Sequence, residues 1–116
     1  EFEYKNIRTE KQEYSIDEKI SIKVDITNKG DMESFETVQL YMNDPVASIV
    51  QPVKRLIDFK KVHFKIHETK TIEFIVNSKS LEYFDNFGQE IFEPGVFNLY
   101  IGPNSRDLMK QEIIYK

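Results

Sequence analysis

Ile20-Ser21-Ile22-Lys23-Val24-Asp25-Ile26-Thr27 puts apolar residues on even positions and polar residues on odd ones. That period of two marks a strand with one buried face and one solvated face. The run stops at Asn28-Lys29-Gly30-Asp31, where Asn and Gly tolerate positive φ, and a second apolar run from Phe35 to Met42 follows at antiparallel-hairpin distance. Asn43-Asp44-Pro45 ends this second run, because proline lacks a backbone donor and restricts the residue before it.

Working outward, Leu56 to Phe64 is apolar-rich with imperfect alternation, while Thr69 to Val76 alternates cleanly. Val96 to Ile101 is bounded by Glu93-Pro94-Gly95 and Gly102-Pro103-Asn104, both turn sequences. With Phe2 to Arg8 at the start and Glu112 to Tyr115 at the end, the chain carries about seven short strands. One helical turn, capped by Ser78, is expected at Asn77 to Leu81, and no long amphipathic helix. The predicted fold is all-β, an immunoglobulin-like or fibronectin type III-like antiparallel sandwich. With no internal repeat, low-complexity tract or Gly/Ser linker, residues 1–116 form one domain, the expected size for a single core.

Apolar residues make up 40% of the chain and aromatics 13%, enough to fill a sandwich interior. The net charge of −4 favours solubility and gives no general attraction to nucleic acid or to an anionic membrane. No apolar stretch is long enough to cross a bilayer as a helix, and Glu1-Phe2-Glu3-Tyr4-Lys5 has no signal-peptide pattern. There is no Cys, which removes disulfides, thiolate metal ligands and thiol nucleophiles and leaves the compartment undetermined, secreted or cytoplasmic. No Asn-x-Ser/Thr acceptor occurs.

Glu82, Asp85, Glu90 and Glu93 form an acidic stretch, but Asp85-Asn86-Phe87-Gly88 lacks the spaced oxygen ligands of a calcium loop and fits a hairpin turn. A catalytic carboxylate pair needs a fixed separation and one raised pKa, which a solvated loop does not supply. His63 and His67 stand four apart, a ligand spacing on a helix, whereas here they flank a strand end. No Ser lies in a nucleophile elbow, and the four glycines are isolated at turns, so no phosphate loop exists. Tyr83, Phe84, Phe87, Phe92 and Tyr100 are the aromatics a sugar-binding sandwich would use, although core packing claims such residues first. No cofactor and no metal are expected.

Pro45-Val46-Ala47-Ser48-Ile49-Val50-Gln51-Pro52 is a loop by its prolines and yet apolar. Val46, Ile49 and Val50 either tuck under the sandwich edge or present a patch to a partner, and Pro52 belongs to the same candidate contact.

This loop and its neighbours carry a family resemblance. Val38-Gln39-Leu40-Tyr41-Met42-Asn43-Asp44-Pro45-Val46-Ala47-Ser48, followed by Gln51-Pro52-Val53-Lys54-Arg55-Leu56-Ile57-Asp58-Phe59-Lys60-Lys61-Val62, resembles the signature of the fibronectin type III-like domain of family 3 glycoside hydrolases. Phe2 to Ile7, Val24 to Asp31, Leu81 to Gly95 and Phe97 to Gly102 resemble further segments of it in order. Two departures stand out: Ile66-His67 where the family often has Pro-Gly, and Gln51 where it often has a basic residue.

The resemblance implies a module of a larger β-glucosidase- or β-xylosidase-like parent, with the nucleophile and the acid/base upstream and no catalytic residue here. Its expected partners are the catalytic domains of its own chain, with carbohydrate at most an indirect one. The other function weighed is a carbohydrate-binding or surface-adhesion module on the same fold.

Overall fold

A computed structural model of the chain describes residues 1–15, 18–43, 55–76 and 95–115. They form eight strands: β1 (Phe2–Thr9), β2 (Glu13–Tyr14), β3 (Ile20–Asn28), β4 (Ser34–Asn43), β5 (Arg55–Phe64), β6 (Thr69–Val76), β7 (Gly95–Gly102) and β8 (Met109–Tyr115). A three-stranded sheet runs β1-β3-β6 and a five-stranded sheet runs β2-β8-β7-β4-β5. Every pairing is antiparallel except β2 with β8.

The alternating run from Ile20 to Thr27 supplies the core of the sandwich. Ile20, Ile22, Val24 and Ile26 are fully buried, as are Phe74 beside them and Val38, Leu40, Phe97, Leu99, Ile101 and Ile113 across from them. Each such side chain contributes roughly 1.5–3 kcal/mol by leaving water. The odd residues of β3 face outward, where Ser21 bonds Glu73 and Thr27 bonds Thr69 (2.7 Å) on the neighbouring strand.

Several expectations need correction. β3 and β4 are not a hairpin: β3 already pairs β1 and β6 on its two edges, so β4 enters the other sheet, where it pairs β5 and β7. The chain does not turn there by positive φ either, since only Asn6 (φ 57°) and His67 (φ 60°) are left-handed among the described non-glycine residues, and Gly30 is not left-handed. Asn28 remains in the strand, 1% exposed, and uses its side chain instead. Its Nδ2 donates to the Met32 (2.9 Å) and Lys65 (3.2 Å) carbonyls, and its Oδ1 accepts from the Gly30 amide (2.9 Å). Two of the connectors that cross from sheet to sheet, 29–33 and 65–68, are thus tied together at one end of the sandwich.

The strand count rises from about seven to eight because Glu13–Tyr14 pairs in parallel with Ile114 and Tyr115. Two residues carry no period, so only the burial of Tyr14 marks them. The last strand also begins earlier than Glu112, at Met109, because β8 follows β7 along its length. The irregular alternation of β5 has two causes. Its register with β4 shifts between Leu40 and Tyr41, and it is the edge of its sheet, leaving Leu56 and Phe59 exposed while Phe64 is buried. The seam between edge strands β5 and β6 is closed by lysines: Lys60 reaches over the Phe74 ring (5.3 Å) to the Glu73 carbonyl, and Lys70 over the Phe64 ring (5.6 Å) to the His63 carbonyl. Their apolar stems cover the core and their charges guard the edges.

The β5–β6 turn answers the question raised by Ile66-His67. Glu68 N donates to Lys65 O (3.1 Å), and the residue at the third position is left-handed, the pattern for which glycine is the usual choice. A side chain in that region costs about 1–2 kcal/mol, partly offset by the greater freedom glycine has when unfolded. His67→Gly is therefore expected to stabilise the domain by about 0.5–1 kcal/mol, read as a rise of a few degrees in Tm. No rise, or a fall, would mean that the His67 side chain makes a compensating contact.

Candidate functional site

Val46, Ile49, Val50 and Pro52, the residues singled out for contact with a partner, lie outside the described residues. So do the expected helical turn at 77–81, the acidic stretch Glu82, Asp85, Glu90 and Glu93, and the aromatics Tyr83, Phe84, Phe87 and Phe92. Tyr100 is described. It is 9% exposed on β7, with its hydroxyl 3.4 Å from Asn43 Oδ1, and offers no open ring face. Asn98 Nδ2 donates to the same oxygen (3.1 Å), and the buried Asn98 Oδ1 has no hydrogen-bond donor among the described residues.

His63 and His67 do not converge. His63 lies on the outer face of β5, 3.5 Å from a Glu33 carboxylate oxygen and against the Phe35 ring (5.0 Å), while His67 occupies the left-handed turn position. Among the described residues, no three His, Asp or Glu side chains gather into a metal-binding group.

Two outer faces are left as candidate surfaces, and they differ in kind. On the three-stranded sheet, β1 carries a bulge between Lys5 and Arg8, with Asn6 left-handed. The extra residue shifts the inward positions from Phe2 and Tyr4 to Ile7, which therefore packs on the core. It also brings Asn6, Arg8 and Asp25 together around a shallow groove. Asn6 Nδ2 donates to Asp25 Oδ2 (3.1 Å), while Thr71 Oγ1 (2.8 Å) and the Arg8 guanidinium (3.2 Å) donate to Asp25 Oδ1. Arg8 also holds the Asn6 carbonyl (2.7 Å). Each polar side chain lining this groove thus engages another, so its arrangement is that of a braced bulge.

These contacts hold the Asp25 carboxyl below its ordinary 3.8, the Asn6 hydrogen bond contributing most, then Thr71, with Arg8 adding less. A depressed carboxyl pKa stabilises the fold above the unfolded value, and this is lost as pH falls through the folded one. Asp25→Asn should cost less than about 1 kcal/mol at pH 7, since the network is partly solvated. Urea denaturation should show the gap between wild type and variant closing below pH 3.8. A gap that stays constant with pH would remove the carboxylate from the account.

Between the sheets, Tyr4 Oη donates to Glu36 Oε2 (2.7 Å). Burial, then the Glu36 hydrogen bond and charge, push the Tyr4 hydroxyl far above its ordinary value, so it stays protonated and bridges the layers.

The outer face of β4 and β5 is of the other kind. Phe35 stands opposite His63, Thr37 opposite Lys61, Gln39 opposite Phe59 and Tyr41 opposite Leu56. Phe35 is 58% exposed, Phe59 61% and Leu56 45%. This face is hidden in the sequence because the imperfect period of β5 conceals which residues point out.

Comparison with known proteins places this fold. The fibronectin type III-like domain model matches residues 36–105, more than half of the chain. A β-glucosidase of Bacteroides ovatus is 34% identical over 108 residues, 92% of this chain and 14% of that protein. A putative β-xylosidase of Formosa agariphila is 30% identical over 109 residues, 94% of this chain and 14% of its own length. Among solved structures, a β-glucosidase of Listeria innocua in complex with gluconolactone superposes with a TM-score of 0.85 at 31% identity, covering 99% of this chain and 16% of that one. The chain thus spans about one seventh of the curated relatives it matches. From the domain match and these relatives, the chain belongs to the fibronectin type III-like domain family, in the form carried as a small part of family 3 glycoside hydrolases.

Proposed function

We propose that this domain is a non-catalytic accessory module of a family 3 β-glycosidase that packs on the catalytic part of its parent chain and stabilises it. The observation that carries this reading is the asymmetry of the matches: nearly all of this chain corresponds to only 14–16% of each relative. One form of domain accompanies proteins named for glucosides and for xylosides, which favours a role in architecture over one in choosing the sugar. The polar groups of the bulge and of the connectors bond within their own clusters, which braces the domain.

Deleting residues 1–116 from the full-length parent should lower its melting temperature or its soluble yield. Unchanged melting together with unchanged glycosidase activity would sink the reading. A second reading, a carbohydrate-binding module, draws on the exposed Phe35 and Phe59 rings. Titration with soluble glucans and xylans separates the two, because saturable binding abolished by Phe59→Ala would favour the module.

A further inference from the structure

Large apolar residues scattered singly over a surface need no explanation, but clustered ones do. Six are exposed among the described residues: Met32, Phe35, Leu56, Phe59, Ile66 and Ile75. Three of these, Phe35, Leu56 and Phe59, lie on the outer face of the β4–β5 ribbon. Two more, Met32 (74% exposed) and Ile66 (51%), lie on the connectors at one end of it. Asn28 holds these connectors side by side, since its one amide nitrogen donates to both Met32 O and Lys65 O. Around the apolar residues sit charges of both signs: Lys61 over the Phe35 ring (5.1 Å), and Glu33 beside His63. An apolar centre with a charged rim is the composition of a protein–protein interface. The three-stranded sheet offers the opposite, a face of hydrogen-bonded Ser, Thr, Asp and Glu with Ile75 alone among them.

The position of Glu1 relates the apolar face to the rest of a parent chain. Its carbonyl accepts from the Lys29 amide (2.8 Å), which places it at the Met32 and Ile66 end of the sandwich. A polypeptide joined ahead of Glu1 therefore meets that end first. We infer that the outer face of β4–β5, continued over Met32 and Ile66, is the surface on which the catalytic part of the parent chain docks; this rests on the accessory-module reading above. It is a contact that the expectation at Val46, Ile49, Val50 and Pro52 does not contain. Asn43, the last described residue before that stretch, lies at the far end of a ten-residue ribbon roughly 34 Å long.

Met32 gives a direct readout in the full-length parent. Treated with hydrogen peroxide and followed by peptide mass spectrometry, a docked Met32 should oxidise about tenfold more slowly than a free methionine, towards the rate of the core residue Met42. Phe35→Asp with Phe59→Asp should bring the melting temperature of the parent down to that of the parent lacking this domain, whereas Lys23→Glu on the other face should not. Free-methionine oxidation of Met32 would overturn the inference. If deletion of the domain still destabilises the parent in that case, the accessory role stands and only the surface is wrong. If deletion changes nothing, the role and the surface fall together.

Discussion

Asn28→Ala is expected to lower the unfolding free energy by about 2–4 kcal/mol, since it removes three part-buried hydrogen bonds worth about 0.5–1.5 kcal/mol each. Removing the amide orphans the Met32 and Lys65 carbonyls and the Gly30 amide together. The loss also propagates, because Asn28 N holds Glu68 O (2.9 Å) and Lys29 N holds Glu1 O (2.8 Å) at the same place. Asn28→Asp keeps the acceptor for Gly30 but loses both donors and turns a charge towards two carbonyls, so it should be no better than alanine. Urea denaturation checks this. A loss under 1 kcal/mol for Asn28→Ala would show that water replaces the side chain and that the two connectors hold without it.

Gly102→Ala should cost about 3 kcal/mol or more, at the upper end of what overpacking does. The added Cβ would lie 2.2 Å from the Asp107 carbonyl oxygen and 2.9 Å from a Leu108 methyl. Retreat is blocked, because Asn104 Oδ1 accepts from both the Arg106 (2.8 Å) and Asp107 (2.9 Å) amides and its Nδ2 bonds the Asp107 carboxylate (3.1 Å). Gly30→Ala is the control. Its Cβ would meet only Asn28 Oδ1 at 3.3 Å and Glu1 N at 3.4 Å, so its cost should stay under about 1 kcal/mol. Equal midpoints for the two variants in urea would refute the close approach at Gly102.

Strand alternation was legible from the sequence wherever both faces of a strand obeyed one rule. Ile20 to Ile26 and Ile72 to Val76 alternate because their inner sides meet the core and their outer sides meet water. It failed at β5, where Lys60 occupies a position opposite Val38 and reaches out between the sheets, so a polar letter stands where an apolar one was expected. It failed at β2 for want of length. Asn28 looks like a turn former in the sequence, since its partners at Met32 and Lys65 are visible only once two distant connectors have been brought together. At His67, by contrast, the residue type itself permits the turn, since His enters the left-handed region more readily than most residues, and the chain uses it there. The apolar face of β4–β5 was present in the sequence as Phe35, Leu56 and Phe59, but which way they point depends on the register shift at Leu40/Tyr41, which no local pattern signals.

The short parallel pairing of β2 with β8 also bears on how the domain is made. Glu13 and Tyr14 lie beside Ile114 and Tyr115, so the first and last parts of the chain are neighbours in one sheet. During synthesis, Tyr14 waits for about a hundred further residues, several seconds at least at ordinary elongation rates, before its partner leaves the ribosome. The three-stranded sheet can pair as soon as β6 emerges, whereas the five-stranded sheet acquires its last two members only when translation of Met109–Tyr115 is done. Until then β7 presents a bare edge, and in that interval a nascent chain is most exposed to pairing with a neighbour on the same messenger RNA.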